Sequence, residues 1–370
     1  MVQRFSTEKG GPTTQQRPPS LALNGIHVLV GREGVEARRV LEQHSRSSFD
    51  LLKLWPPKSY FFSPSRNCVI AYAVANKTAI SLGDPVGPEA EIELTAREFL
   101  RKFKKKGWGV AFYRASADYV QAYRRLGLRK LKIGDDALVN LEQFSLKGRL
   151  KRDIRSKANH FEQLGMRVVE YQPPLAAETL AKLADVEEQW LSIPGRRERT
   201  FAVGHFDRDY LRSTPVLAVM DGDGRVLAFV NVISANPREI AGDVMRRGRD
   251  VPNGITDYLL LKLIHYAGEK RYNRVSLGLA PMTGFKEAES AGLEERVIHR
   301  VLRKLDFLFR FRGLSQYKAK FATSWEPRYL IYENLLQLPR TALALVRLSE
   351  IKDCESVIGL THHNLANSGP

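Results

Sequence analysis

Two residues of opposite charge, Asp243 and Arg246, stand three apart in the stretch GDVMRRGRDVPNGITDYLLLK (242–262), at the end of what reads as a strand. A turn follows, and a second acid, Asp257, sits at the mouth of a helix. A carboxylate can hold a cation or move a proton, and an arginine can hold an anion with two parallel hydrogen bonds. The same residues also suit a plainer use. Asp243 and Arg246 could close a salt bridge at a strand end, and Asp257 could complement the helix dipole.

Other chemistries lack their residues. The eight histidines are dispersed, His362 and His363 stand in a polar tail, and no His/Cys/Asp/Glu group has metal-ligand spacing, so no metal is expected. GxSxG and GxxxxGK[ST] are both absent, which removes the serine esterase and phosphate-loop readings. RRGRDVPNGIT has two separated glycines and a proline, a poor cradle for the pyrophosphate of coenzyme A.

These residues must be positioned by a chain of 370 residues with 43% hydrophobic content, enough for two medium domains. A formal net charge of +17 exceeds what solubility needs and points to a polyanion, nucleic acid or anionic lipid. Two cysteines, Cys68 and Cys354, are too few for a disulfide framework and suggest a reducing compartment. No apolar run reaches the length of a membrane span, and the first thirty residues lack a signal-peptide core. The expected location is therefore cytoplasmic, with any lipid reached peripherally at the inner face of the cell membrane.

Residues 1–30, rich in Gly, Pro, Gln and Thr, read as a disordered tail. A helix is predicted from Gly34 into the fifties, ending at Pro56 and Pro57. SYFFS, NCVIAYAVAN and TAISLGDPVG read as an antiparallel meander, followed by a helix from Ala90 to Lys106, the strand GVAFYRAS, a short helix and the strand RKLKIGDDALVNL. The second half repeats this order: PVLAVMD, RVLAFVNVIS and EIAGDVMRR as strands, the helix ITDYLLLKLIHYAGEK, the strand RVSLGLA and another helix. Between the halves lies SLKGRLKRDIRSKANHFEQLG (145–165), where Leu146, Leu150, Ile154, Ala158 and Phe161 recur at helical spacing. Lys147, Arg149, Lys151, Arg152, Arg155 and Lys157 fall on the other faces against one acid, Asp153, which suits either a solvated connecting helix or an anion-binding one.

Several segments together match one family. SLGDPVG (81–87), KIGDDALVNLEQFSLKG (132–148), the D-x-M-R of Asp243 to Arg246, GITDYL (254–259), SLGLAPM (276–282) and FRGLSQYKAKFATSWEPRYL (311–330) resemble the catalytic domain of the phosphatidylglycerol lysyltransferases, over roughly residues 30–335. The resemblance implies an α+β fold of two tandem GNAT-like domains, 31–144 and 166–340, joined by the basic helix 145–165, with a C-terminal helix and tail at 341–370. It implies transfer of an amino acid from aminoacyl-tRNA, as co-substrate, to the hydroxyl of a lipid such as phosphatidylglycerol. No cofactor or metal is then needed, because the donor is already an activated ester. Family members commonly carry a multi-spanning membrane region before this domain.

Under that resemblance Asp243 holds the aminoacyl ammonium or assists proton transfer, and Arg246 binds the lipid phosphate or the developing oxyanion. Asp257, Lys318, Lys320 and Glu326 become substrate-binding candidates, the two lysines pointing to one side if their segment is extended. Lys147, Arg149, Lys151, Arg152 and Arg155 become tRNA-binding candidates. Gly83, Asp84 and Pro85 read as a structural turn. A Fem-type aminoacyltransferase with an amine acceptor and a non-catalytic RNA-binding protein on the same fold are the competing readings.

Overall fold

The computed structural model describes residues 31–281 and 313–350. The expected N-terminal tail, the helix after RVSLGLA and the chain beyond Glu350 lie outside the described residues.

Helix α1 (Arg32–His44) buries Ala37, Val40 and Leu41 at helical spacing. The chain then leaves the helix at His44, twelve residues before Pro56, where proline punctuation predicts its end. The reason is local: the Ser47 hydroxyl accepts from the Phe49 amide and the Asp50 carboxylate accepts from the Ser47 amide, which starts a separate 3-10 turn at Ser48–Leu54. That turn is pinned to a distant strand, since Ser48 N donates to Glu239 Oε1 at 2.7 Å and Ser48 Oγ donates to the Glu239 carbonyl at 2.7 Å.

The meander forms as expected: β1 (Ser59–Phe62), β2 (Val69–Ala75) and β3 (Thr78–Leu82) pair antiparallel. Helix α2 (Glu89–Lys105) returns the chain so that β4 (Gly109–Ser116) lies parallel to β3. Helix α3 (Val120–Arg125) and the long strand β5 (Arg129–Asn140) follow. A 3-10 turn at Arg149–Lys151 runs into α4 (Arg152–Gln163), so the expected helix starts about four residues late; Ile154, Ala158 and Phe161 are buried as the periodicity requires.

Next come β6 (Arg167–Tyr171) and α5 (Ala177–Leu191), neither anticipated, and the short α6 (Arg208–Arg212). The second meander, β7 (Val216–Met220), β8 (Val226–Asn236) and β9 (Glu239–Arg247), is followed by α7 (Ile255–Glu269) and by β10 (Arg274–Pro281) parallel to β9. The described chain ends with α8 (Leu314–Ala319), β11 (Ser324–Tyr332) and α9 (Leu338–Ser349).

All eleven strands form one mixed sheet in the order β1-β2-β3-β4-β11-β5-β10-β9-β8-β7-β6. The last strand of each half lies in the middle, β5 against β10 and β11 between β4 and β5. One face carries an apolar core that runs across both halves, from α1, the Ser48–Leu54 turn and α9 to α5 and α6, with a small second cluster of Ala111, Leu131, Leu330 and Tyr332 under Leu338 and Leu345. The opposite face carries two separate cores, one under α2 and α3 and one under α4 and α7.

Candidate active site

Strands β9 and β10 pair only where Glu239–Ala241 meets Arg274–Ser276, and beyond that point they diverge. Asp243 stands two residues beyond the last paired residue, Ala241. Its Oδ1 accepts from the Gly204 amide at 2.9 Å and its Oδ2 accepts from the Tyr210 hydroxyl at 2.6 Å. The approach is so close that a Cβ on Gly204 would stand 2.0 Å from Oδ2, so only glycine admits this contact. Burial raises the Asp243 pKa, opposed by those two hydrogen bonds and by the charges of Arg246 and Arg114. Beside it, burial brings the Lys58 amine down to about 7 against the pull of Asp243, and Lys58 Nζ donates to the Trp55 carbonyl at 2.9 Å.

Lys318 and Lys320 do not lie on an extended segment. Lys318 belongs to α8 and Lys320 caps it, so a helical rather than a twofold period separates them and they reach different partners. Lys318 is 8% exposed and donates to the Leu279 carbonyl on β10 at 2.7 Å. Burial lowers its pKa to about 7; Asp136 opposes that shift and Arg114 adds to it. Gly278 beneath has φ +75°, and a Cβ there would meet the Phe49 ring at 3.0 Å and Lys318 Nζ at 3.8 Å.

Arg114 connects these groups. Its Nη2 pairs with Asp136 Oδ1 at 3.0 Å, its Nη1 donates to the Ala202 carbonyl at 3.3 Å, and its guanidinium lies 4.6 Å from the centre of the Phe49 ring. Asp136 also accepts from Arg328 Nε at 2.6 Å; burial alone would raise its pKa, but Arg114 and Arg328 outweigh burial and hold it below the usual carboxylate range. Glu326 extends the network: its carboxylate meets Arg328 Nη2 at 2.9 Å and Arg274 Nη1 at 3.2 Å, and Arg274 Nε reaches Glu239 at 2.6 Å. A cavity of about 260 Å³ opens over this network, bounded by Phe49, Lys53, Asp84, Arg114, Arg274 and Arg328. Gly83–Pro85 therefore lines a cavity as well as turning the chain. The buried Asp84 carboxyl, raised to about 6 by burial, accepts from the Ser116 amide and the Tyr123 hydroxyl, each at 2.8 Å.

Arg246 sits apart from that cavity. It is 8% exposed; Nε pairs with Glu187 at 2.7 Å, Nη2 with Glu198 at 2.8 Å, and its guanidinium lies 4.1 Å from the centre of the Trp190 ring. Burial, helped by neighbouring Glu198 and opposed by Arg246, raises Glu187 to about 8, whereas burial of Glu198 is outweighed by the contact with Glu187 and the Arg246 charge, which hold it below its ordinary value. The expectation of a cation free to meet phosphate or an oxyanion thus encounters an arginine whose donors are committed inside the fold.

Asp257 is 3% exposed in the first turn of α7, which satisfies the dipole reading. It also gathers Lys320 at 3.0 Å and Lys157 at 3.3 Å, tying α4 and α8 to α7. Of the basic-helix residues, Lys147, Arg149 and Arg152 are exposed. Lys151 instead donates to the Lys320 carbonyl, and Arg155 donates to the carbonyls of Leu146 and Gly148.

The structure thus joins Lys318 and Glu326 through Asp136, Arg114 and Arg328, and sets Asp243 beside Arg114. Asp136 and Arg328 stood inside segments that carried the family resemblance, whereas nothing in GVAFYRAS singled out Arg114. Among the described residues no His/Cys/Asp/Glu group could hold a metal ion, and no helix is long and apolar enough to cross a membrane.

A phosphatidylglycerol lysyltransferase of Staphylococcus epidermidis is 28% identical over 292 residues, which cover 79% of this chain and 34% of that protein. The chain thus spans about a third of the length of the curated relatives it matches. The structure of L-PGS from Bacillus licheniformis superposes with a TM-score of 0.77 at 29% identity, covering 86% of this chain and 98% of that one. FemX shares the fold alone, with a TM-score of 0.55 at 10% identity over 85% of this chain and 99% of that one. The family model described as phosphatidylglycerol lysyltransferase, C-terminal, matches residues 37–332, a span that contains Asp243, Lys318, Arg114 and every other residue of the site, so the chain belongs to that family.

Proposed function

We propose that this chain transfers an amino acid from aminoacyl-tRNA to a hydroxyl of phosphatidylglycerol, with no cofactor beyond the charged tRNA. The observation that carries the reading is Lys318, a buried amine that donates to the Leu279 carbonyl on β10 and whose pKa of about 7 makes it a competent base at neutral pH. In this reading Lys318 takes the proton of the attacking hydroxyl as its oxygen bonds to the ester carbonyl carbon. The bond from that carbon to the tRNA ribose oxygen then breaks, and the proton passes to the departing oxygen. Asp243 receives the aminoacyl ammonium, and Arg246, clamped by Glu187 and Glu198, holds the strand that carries Asp243. The cavity lined by Arg114, Arg274 and Arg328 takes the anionic phosphoglycerol headgroup. Exposed Lys147, Arg149 and Arg152 meet tRNA phosphates, and the protein works peripherally at the inner face of the cell membrane.

The same reading treats the sheet as two GNAT-like units, each a meander followed by a helix and a parallel strand, with α4 between them. Incubating the purified chain with total charged tRNA, labelled amino acids and vesicles containing phosphatidylglycerol should move label into the lipid extract. Label confined to the aqueous fraction would overturn the lipid acceptor, and a base-stable amide formed there on an added amine acceptor would support a Fem-type reaction instead.

A further inference from the structure

Helix α9 presents two unlike faces. Thr341 and Ala344 are buried, and Leu345 and Leu348 pack against the core that runs across both halves. The outward stripe is Leu336, in the 3-10 turn that leads into the helix, then Arg340, Leu343 and Arg347, at offsets of four, seven and eleven residues. Leu336 is 93% exposed and Leu343 50% exposed, and no acidic residue occurs from Leu338 to Ser349. At its end the Ser349 carbonyl accepts from the Thr200 amide at 3.1 Å. The loop so attached carries exposed Arg196, Arg197 and Val203, and it also supplies the Ala202 carbonyl to Arg114 and the Gly204 amide to Asp243.

We propose that the outward face of α9, together with the loop from Arg196 to Val203, is the surface on which this protein lies on an anionic lipid bilayer. Alternating leucine and arginine on an exposed helix face suits the headgroup boundary, where the leucines enter the acyl margin and the guanidinium groups meet lipid phosphates. A nucleic acid would satisfy the arginines but would leave Leu336 and Leu343 in water. Docking by this face sets the loop that holds Asp243 and Arg114 against the bilayer, which shortens the path of a lipid headgroup to the site. The purpose of the surface rests on the lipid-acceptor reading, whereas its existence does not.

The test uses the full chain and sedimentation with vesicles of equal phosphatidylglycerol and phosphatidylcholine, or of phosphatidylcholine alone. The wild type should pellet with the first and stay in solution with the second. Arg340→Gln with Arg347→Gln should weaken vesicle binding about thirtyfold, since each arginine near an anionic surface contributes about fivefold. Leu336→Ser with Leu343→Ser should weaken it about tenfold or more. All four side chains are exposed, and the one contact removed, Arg347 to the Asn76 side chain, lies at the surface, so each variant should keep the wild-type unfolding temperature and wild-type tRNA affinity. Transfer to short-chain, monomerically dissolved phosphatidylglycerol should be unchanged while transfer to vesicles falls. Variants that pellet like the wild type, wild-type binding to phosphatidylcholine alone, or loss of tRNA affinity in the same proportion would each overturn the proposal. Absence of transfer in every format by the wild type would sink the lipid-acceptor function and leave the vesicle measurement to decide the surface.

Discussion

An amine that leaves water loses part of its preference for a proton, and Lys318 shows how large that loss is. A fall from the ordinary lysine value to about 7 corresponds to about 5 kcal/mol, more than one nearby carboxylate, Asp136, restores while Arg114 opposes it. The folded-state pKa lies below the unfolded one, so the buried ammonium costs stability in full below pH 7. That cost is relieved as pH rises from about 7 toward the unfolded lysine value. Two results should follow. The logarithm of kcat/KM should climb with unit slope below about pH 7 and flatten above it, and Lys318→Met should abolish transfer while raising the unfolding temperature at pH 6. Lys58 has a similar pKa, so Lys58→Met serves as the control and should keep the inflection near pH 7. A flat profile in the wild type, or a Lys318→Met protein that is active or less stable, would remove the base from the mechanism. Arg246 shows the opposite balance. Its charge is spent on Glu187 and Glu198, and a buried arginine between two carboxylates cannot be withdrawn without leaving charge unpaired.

At the scale of elements, periodicity was legible and partnership was not. Ile154, Ala158 and Phe161 marked the buried stripe of α4, and the two meanders showed in their β-branched runs. The stripe of α5, Leu180, Leu183 and Val186, was equally periodic and could have been found by the same reasoning. What spacing could not supply was the destination of each basic side chain. Lys151 turns to the distant Lys320 carbonyl and Lys157 to distant Asp257 as well as to Asp153 one turn away, while Arg155 folds back on the carbonyls of Leu146 and Gly148. The site was legible for the same reason only in part: Asp243 and Lys318 were marked by type and motif, but Arg114 and Asp136 meet them through strand pairing that no local pattern reveals. The consequence for tRNA is specific. Arg149→Gln with Arg152→Gln should lower the slope of log affinity against log salt by about 1.4 to 1.8, the sum of two phosphate contacts. Arg155→Gln should leave the slope unchanged, since its guanidinium already serves Leu146 and Gly148. Equal effects from both substitutions would mean that Arg155 leaves those carbonyls when tRNA binds.

For the whole molecule, the position of β11 decides how the two halves depend on one another. A strand formed near the end of the described chain pairs with β5 from Ser324 opposite Leu138 to Tyr332 opposite Arg129, and with β4 from Arg328 opposite Ser116 to Tyr332 opposite Ala111. Without it, β4 and β5 would each expose an unpaired edge in the middle of the sheet, and backbone groups there would seek partners in other chains. The shared core beneath α1, α5 and α9 adds a second dependence, because its apolar side chains come from both halves. The first half by itself, residues 31–165, should therefore aggregate when expressed alone. The full chain should unfold in one cooperative transition, with calorimetric and van 't Hoff enthalpies in agreement. A soluble, cooperatively folded fragment of 31–165, or two resolved transitions in the full chain, would show that the halves are stable separately and that β11 docks onto a first half already formed.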